Sequence, residues 1–293
     1  MGLPSYHLRA GETAQPPFAL VVTPSTAGWT YTGLTVLDLA PGEAVSIDTG
    51  DSEHLVMSLS GSCTVESGGE TLSVAGRESV FSGVSDFVYV PRDATANVAS
   101  ASGGRFALPS AVCERQLPFR HSPAEAVPVE LRGAGSASRQ VNNFCTPGVF
   151  EADRLIACEV LTPSGNWSSY PPHKHDEARD GESELEEIYY FEVADGPGGA
   201  GIGYQRVYGH EQADIDVLAE VRTGDVVLIP HGWHGPSMAA PGYDLYYLNV
   251  MAGPGDVRAW LICDDPAHAW VREAWAAQDV DRRLPFGSPG GER

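Results

Sequence analysis

Lysine is nearly missing from this chain. Of 18 lysine and arginine residues in a length of 293, the single lysine is at position 174. Against 39 aspartates and glutamates, the formal net charge is −21. That balance argues against a nucleic-acid partner, which needs clustered basic residues, and against an anionic membrane surface. It leaves room for a small anionic ligand in a locally positive pocket. Long apolar runs are missing too, since none approaches the ~20 residues that span a bilayer. The opening Met1-Gly2-Leu3-Pro4-Ser5-Tyr6-His7 has neither a basic region nor an apolar core, so no secretory signal is expected. Paired cysteines are the third absence. Cys63, Cys113, Cys145, Cys158 and Cys263 are odd in number, widely spaced and form no C-x-x-C. That usage predicts reduced, mostly buried thiols and a cytoplasmic protein.

Glycine and proline are abundant, at 33 and 22 residues. They fall between short apolar segments at 34–39, 55–59, 87–90, 155–161, 188–193, 226–229 and 245–250. These are too short for most helices and rich in Val, Ile, Tyr and Phe, so they read as strands separated by turns. Helical periodicity is confined to 267–278. Many short strands with regular turns predict an all-β sandwich or barrel. Two stretches read alike. His54-Leu55-Val56-Met57-Ser58-Leu59-Ser60-Gly61 is followed by Gly76-Arg77 and Val90-Pro91, and Glu187-Ile188-Tyr189-Tyr190-Phe191-Glu192-Val193-Ala194 by Gly224-Asp225 and Ile229-Pro230. This internal repeat predicts two similar units. The boundary falls in the proline-containing stretch 117–135, giving domains 1–120 and 121–293.

Chemistry concentrates in the second unit. In Tyr170-Pro171-Pro172-His173-Lys174-His175-Asp176, residues i and i+2 of a strand share a face, so His173 and His175 aim two imidazoles at one point while Lys174 turns away. Glu182, Glu184, Glu186 and Glu187 crowd the run before the strand 188–191. His234 follows in Pro230-His231-Gly232-Trp233-His234. Two histidines, a carboxylate and a distant histidine make an N/O set for zinc, manganese, iron, cobalt or nickel; spacing alone does not choose among them, and zinc is the first expectation. His231 is ambiguous by its closeness to His234. His7, His121 and His210 lack partners in sequence, and His268 reads as a residue at a helix start.

The order H-x-H, glutamate at a strand start, G-x5-P-x-G and histidine resembles the two motifs of cupins, which are small β-barrels. The gap between histidines and glutamate is longer than usual, and the second motif has one residue fewer before its histidine. Asn142-Asn143-Phe144, Gly165-Asn166-Trp167 running on to Asp176, Leu185-Glu186-Glu187-Ile188-Tyr189-Tyr190-Phe191, Gln205-Arg206-Val207-Tyr208 and Tyr246-Tyr247-Leu248-Asn249-Val250-Met251-Ala252-Gly253 resemble the 5-deoxy-glucuronate isomerase family of myo-inositol catabolism. The likeness runs over nearly the whole chain and is strongest in 139–272. It implies two cupin-type, jelly-roll-like β-barrels in tandem with a short C-terminal helix. It also implies a metal-dependent aldose–ketose isomerase acting on a small anionic sugar acid.

By that resemblance the metal ligands are His173, His175, Glu187 and His234. In the first unit His54 occupies the slot of Glu187 and no H-x-H precedes it, so the N-terminal barrel is expected to be metal-free. The implied reaction converts 5-deoxy-D-glucuronate to 2-deoxy-5-keto-D-gluconate through an enediolate. It needs a Lewis acid for the oxyanion and a base for the carbon-bound proton. Glu187, Glu186 and Lys174 are the expected catalytic residues. Lys174 is also open to a role behind the metal ligands or between the barrels, its compact ammonium paired to a buried carboxylate, because strand alternation turns it from the metal. Arg206 is expected to hold the substrate carboxylate bidentately. Gln205 and Tyr208 lie on the same strand, and Tyr246 and Asn249 are expected to bind substrate hydroxyls. Two other readings stand beside this one: the related uronate isomerase of pectin degradation, and an Fe(II) cupin dioxygenase. Homo-oligomerisation is left open.

Overall fold

The computed structural model describes residues 5–287. The outer ends of both expected domains lie outside the described residues. The protein is all-β, with α-helix among the described residues limited to Pro24–Ala27 and Val271–Ala274. Among the described residues no helix is long and apolar enough to cross a membrane.

The first barrel is a nine-stranded sheet that curls on itself around one long strand, Ser52–Ser67. The first half of that strand pairs with Phe87–Val90 and Gly104–Val112, the second half with Glu70–Arg77 and Thr95–Ser100. Changing partners along one strand closes the sheet. Leu37, Val56, Val65, Val98 and Phe106 fill its interior.

The second barrel packs a seven-stranded sheet on a four-stranded one. The larger sheet runs in the order His7–Leu8, Val226–Ile229, Glu186–Val193, Leu245–Ala252, Ile156–Thr162, Arg139–Cys145, Val129–Arg132. The smaller runs Trp167–Ser168, Ser237–Ala239, Gly203–His210, Ala213–Val221. Between them lie Cys158, Tyr189, Phe191, Val207, Val217 and Tyr247.

A third core joins the barrels back to back. Leu55, Met57 and Tyr89 from the first meet Ile188, Tyr190, Tyr246 and Leu248 from the second. Strands such as Leu245–Ala252 are buried on both faces, which is why they read as unbroken apolar runs rather than alternating ones. Fully burying each such side chain contributes roughly 1.5–3 kcal/mol.

Two expectations are refined. Arg120–Ser122 pairs with Phe87–Val90, so the boundary expected at 120/121 falls inside a strand of the first barrel. His7–Leu8 crosses to pair with Val226–Ile229 of the second. Backbone pairing, which composition does not report, decides both. The helix expected over 267–278 is a turn, the four-residue helix Val271–Ala274 and a 3-10 turn at Trp275–Ala277. None of its residues is fully buried, so no apolar stripe extends it.

Candidate metal centre

The two motifs meet through their backbones. His173 and His234 exchange N–H···O bonds of 2.9 and 2.8 Å, which sets their rings 4.8 Å apart. Gly235, at φ +111, makes the approach feasible: a Cβ there would lie 2.3 Å from the Ser169 carbonyl oxygen and 2.8 Å from the His173 ring. His173–Lys174 pairs with Cys263–Asp264. Glu187 is the second residue of the strand Glu186–Val193 and faces the barrel interior with Tyr189 and Phe191.

His173, His175 and His234 place ligand nitrogens within 4.8 Å of one another. The Glu187 Oε2 lies 3.0 Å from the Nε2 of both His175 and His234. All four side chains are buried. Each imidazole is held from behind by a carbonyl oxygen, from Pro171 at 3.3 Å for His173, Leu185 at 3.3 Å for His175 and Gly232 at 2.8 Å for His234. Those carbonyls require the proton on Nδ1 and leave each Nε2 as a lone pair aimed inward. The Nε2 atoms of His175 and His234 then face each other at 3.0 Å. Lone pairs and a carboxylate at contact distance call for a cation among them, and the donor set is that of a divalent N/O metal site.

When the imidazoles are protonated instead, Nε2 donates to Glu187 and the opposite charges compensate one another. Burial alone would raise the Glu187 carboxyl, but hydrogen bonds and charge from His175 and His234 outweigh it and hold it down at about 2. Burial also works against protonated His175, yet Glu187 raises it overall. His173, buried and beside His234 and His175, is pushed well below its ordinary value.

A cavity of about 420 Å³ opens beside the cluster, within the ~300–1,000 Å³ of small-molecule sites. His173, Tyr189, Asn249, Arg132, Arg139 and Arg272 are among its lining residues. Asn249 lines this cavity, and its buried Nδ2 has no hydrogen-bond partner among the described residues. The arginines and Tyr189 were not foreseen. One signal was present: Arg139 stands two residues before Val141, which shares its cavity-facing side of a strand.

The other expected site residues lie elsewhere. Arg206 points off the outer face of its strand to Asp216 at 2.5 Å, so the carboxylate role does not fit it. Tyr208, on that same face, donates to Asp265. Gln205, just before Arg206 and on the opposite face, turns into the barrel, accepts from Ser237 and keeps an unpartnered buried Nε2. Tyr246 faces the shared core between barrels beside Arg77, because it is odd in register with Asn249. Glu186 faces away from Glu187, accepting the backbone N–H groups of Thr30, Tyr31 and Thr32 at 2.7–2.9 Å.

Lys174 meets Asp176, Glu177 and Glu182 at 2.6, 2.8 and 2.7 Å. It pins the hairpin Asp176–Arg179/Glu182–Glu184, the insertion that lengthens the gap before Glu187, and neither touches the histidines nor bridges the barrels. Glu182 is committed to Lys174 and Arg179, and Glu184 is exposed on that hairpin. His231 bonds the Asp214 carbonyl and lies outside the cluster. His7, His121 and His210 each pair with an aspartate, and the His268 ring lies tilted to that of Tyr170 at 6.3 Å.

Comparison with known proteins adds three findings. The KduI/IolB family matches residues 6–271. The 5-deoxy-glucuronate isomerase of Geobacillus kaustophilus (strain HTA426) is 43% identical over 256 residues, covering 86% of this chain and 90% of that protein. Among solved structures, an IolB-like protein from Salmonella typhimurium LT2 superposes with a TM-score of 0.83 at 33% identity, covering 90% of this chain and 98% of that one. The oxalate decarboxylase of Lactobacillus farciminis reaches a TM-score of 0.60 at 12% identity, covering 88% of each chain, a likeness of fold alone.

Proposed function

Since the chain belongs to the KduI/IolB family, we propose that it is a 5-deoxy-glucuronate isomerase of myo-inositol catabolism. In this reading it converts 5-deoxy-D-glucuronate to 2-deoxy-5-keto-D-gluconate with a divalent ion held by His173, His175, Glu187 and His234. One observation carries the reading: a buried cluster of three imidazoles and a carboxylate adjoins a cavity that also holds guanidinium groups. An electrophilic end and an anion-binding end share one chamber. A bound ion would supply Lewis-acid stabilisation of negative charge on the carbonyl oxygen. Zinc suits the donor set, and manganese, iron, cobalt or nickel accept the same ligands.

The chain's own residues orient the substrate. The reaction moves a proton from the carbinol carbon to the neighbouring aldehyde carbon, so both oxygens must lie side by side at the cluster. The free Nδ2 of Asn249 is a donor for one of them. The Tyr189 phenol is pushed well above its ordinary value by burial, so it stays protonated and can donate to another. The Ser169 hydroxyl, 2.7 Å from Tyr247, completes a polar wall. Burial of all four ligand side chains keeps bulk water from the reacting end.

Incubation with 5-deoxy-glucuronate in D2O, followed by NMR, tests the reading. The expected product is the ketose with deuterium in its new hydroxymethyl group, abolished by chelator and restored by a divalent ion. No ketose from metal-replete protein would overturn it. Preferential turnover of 4-deoxy-5-keto-uronate would move the protein to the pectin branch, and oxygen uptake with turnover to the dioxygenases.

A further inference from the structure

Three guanidinium groups line the cavity, but only two have counter-ions. Arg132 pairs with Glu130 through bonds of 2.9 and 2.7 Å. Arg272 pairs with Asp264 through both of its carboxylate oxygens. Arg139, which is only 4% exposed, has no carboxylate partner among the described residues. Its Nη1 donates to the carbonyls of Ala137 and Tyr170 at 3.1 and 3.4 Å, and its guanidinium stands 5.5 Å from the Trp275 ring. Burial, with Arg132 and Arg272 nearby, pulls it down to about 10, so its charge is poorly compensated. A buried, uncompensated cation is strongly unfavourable. Here it borders an open chamber, so an incoming anion can complete the pair.

We infer that Arg139 binds the substrate carboxylate, with its fork on both oxygens, and thereby selects sugar acids over neutral sugars. This rests on the isomerase reading for the identity of the acid. The chamber runs from His173 and Asn249 to Arg139, so the acid end is held while the opposite, reacting end lies at the histidines. Arg139 occupies the role expected of Arg206, whose side chain leaves the barrel and is already paired.

The probe is sodium D-gluconate, a six-carbon acid with no carbonyl to isomerise, titrated calorimetrically into the metal-loaded protein. Arg139→Met should weaken gluconate binding and raise KM for the uronate, each by about 30-fold or more, with metal content unchanged. Arg139→Lys keeps the buried charge but loses the fork, and should weaken both by about tenfold. It decides the matter if the methionine variant does not fold. Unchanged gluconate affinity and KM in a folded variant overturn the inference. Arg139-dependent gluconate binding without turnover of 5-deoxy-glucuronate would overturn the isomerase reading and leave the acid site standing. Turnover that is indifferent to Arg139 would do the reverse.

Discussion

The two barrels hold each other by the same device and differ one residue later. Glu53 opens the long strand of the first barrel and accepts the backbone N–H groups of Asp153, Arg154 and Leu155, at the entry to a strand of the second. Glu186 opens the matching strand of the second and grips residues 30–32, at the entry to a strand of the first. The next residues, His54 and Glu187, share a slot, since His54 pairs with Val90 and Glu187 with Ile229, each followed by proline. Glu187 has His175 and His234 around it. His54 bonds only the Ser52 carbonyl, and burial pushes it down to about 4. No H-x-H precedes His54 as one precedes Glu187, and Thr95 follows Pro91 at the distance at which His234 follows Pro230. The two barrels thus share one scaffold and differ in the side chains gathered around one strand position.

The largest expected effect would break that contrast. His234→Ala should remove the metal and lower kcat on the order of a thousandfold, several kcal/mol of lost charge stabilisation. His54→Ala should leave both metal content and kcat unchanged. Elemental analysis with kinetics decides, and metal loss from the His54 variant would place a site in the first barrel.

The join between barrels comes next. Arg77 holds Glu159 with two bonds of 2.8 Å, both groups being buried. Arg77→Ala leaves Glu159 unpaired and should cost about 3–5 kcal/mol by denaturant unfolding, whereas replacing both by apolar residues should cost far less. A smaller pair of effects tests the symmetry itself. Glu53→Gln and Glu186→Gln each put an amide N–H against backbone donors, and should destabilise by about 2 kcal/mol to a similar extent. A large inequality would mean that only one grip matters.

The smallest concerns Lys174. An ammonium sends three separate donors to three carboxylates, an arrangement the planar guanidinium cannot copy. Lys174→Arg should lose about 1 kcal/mol with activity largely kept. The Asp176 carboxyl, which burial would raise, is held well below its ordinary range by Lys174, the Gly232 N–H and His210. A carboxyl depressed on folding stabilises above its unfolded value of about 4 and loses that contribution as pH falls further. Acid unfolding below about pH 4 should therefore begin at higher pH in the arginine variant, and identical midpoints would make the lone lysine incidental.

These particulars show how far the chain could be read. The H-x-H pair and His234 were legible because chemistry and a period of two identify them, and Glu187 was separated from Glu186 by register and family likeness. Arg206 misled because alternation offers two faces, and sequence does not say which lines the cavity. Tyr246 and Asn249 stand on a strand buried on both sides, so polarity gave no clue to which faced the site. Arg139 was overlooked because a buried cation without a partner is a property of its surroundings.

The sequence by itself determined the strand-rich architecture, the doubled unit, the family and the donor atoms, because local periodicity and residue chemistry carry them. Tertiary structure decided which barrel face each side chain meets, that the lone lysine locks a hairpin and that one arginine awaits an anion. Those depend on which distant groups share a low-dielectric space, where pairing or its absence sets the energy.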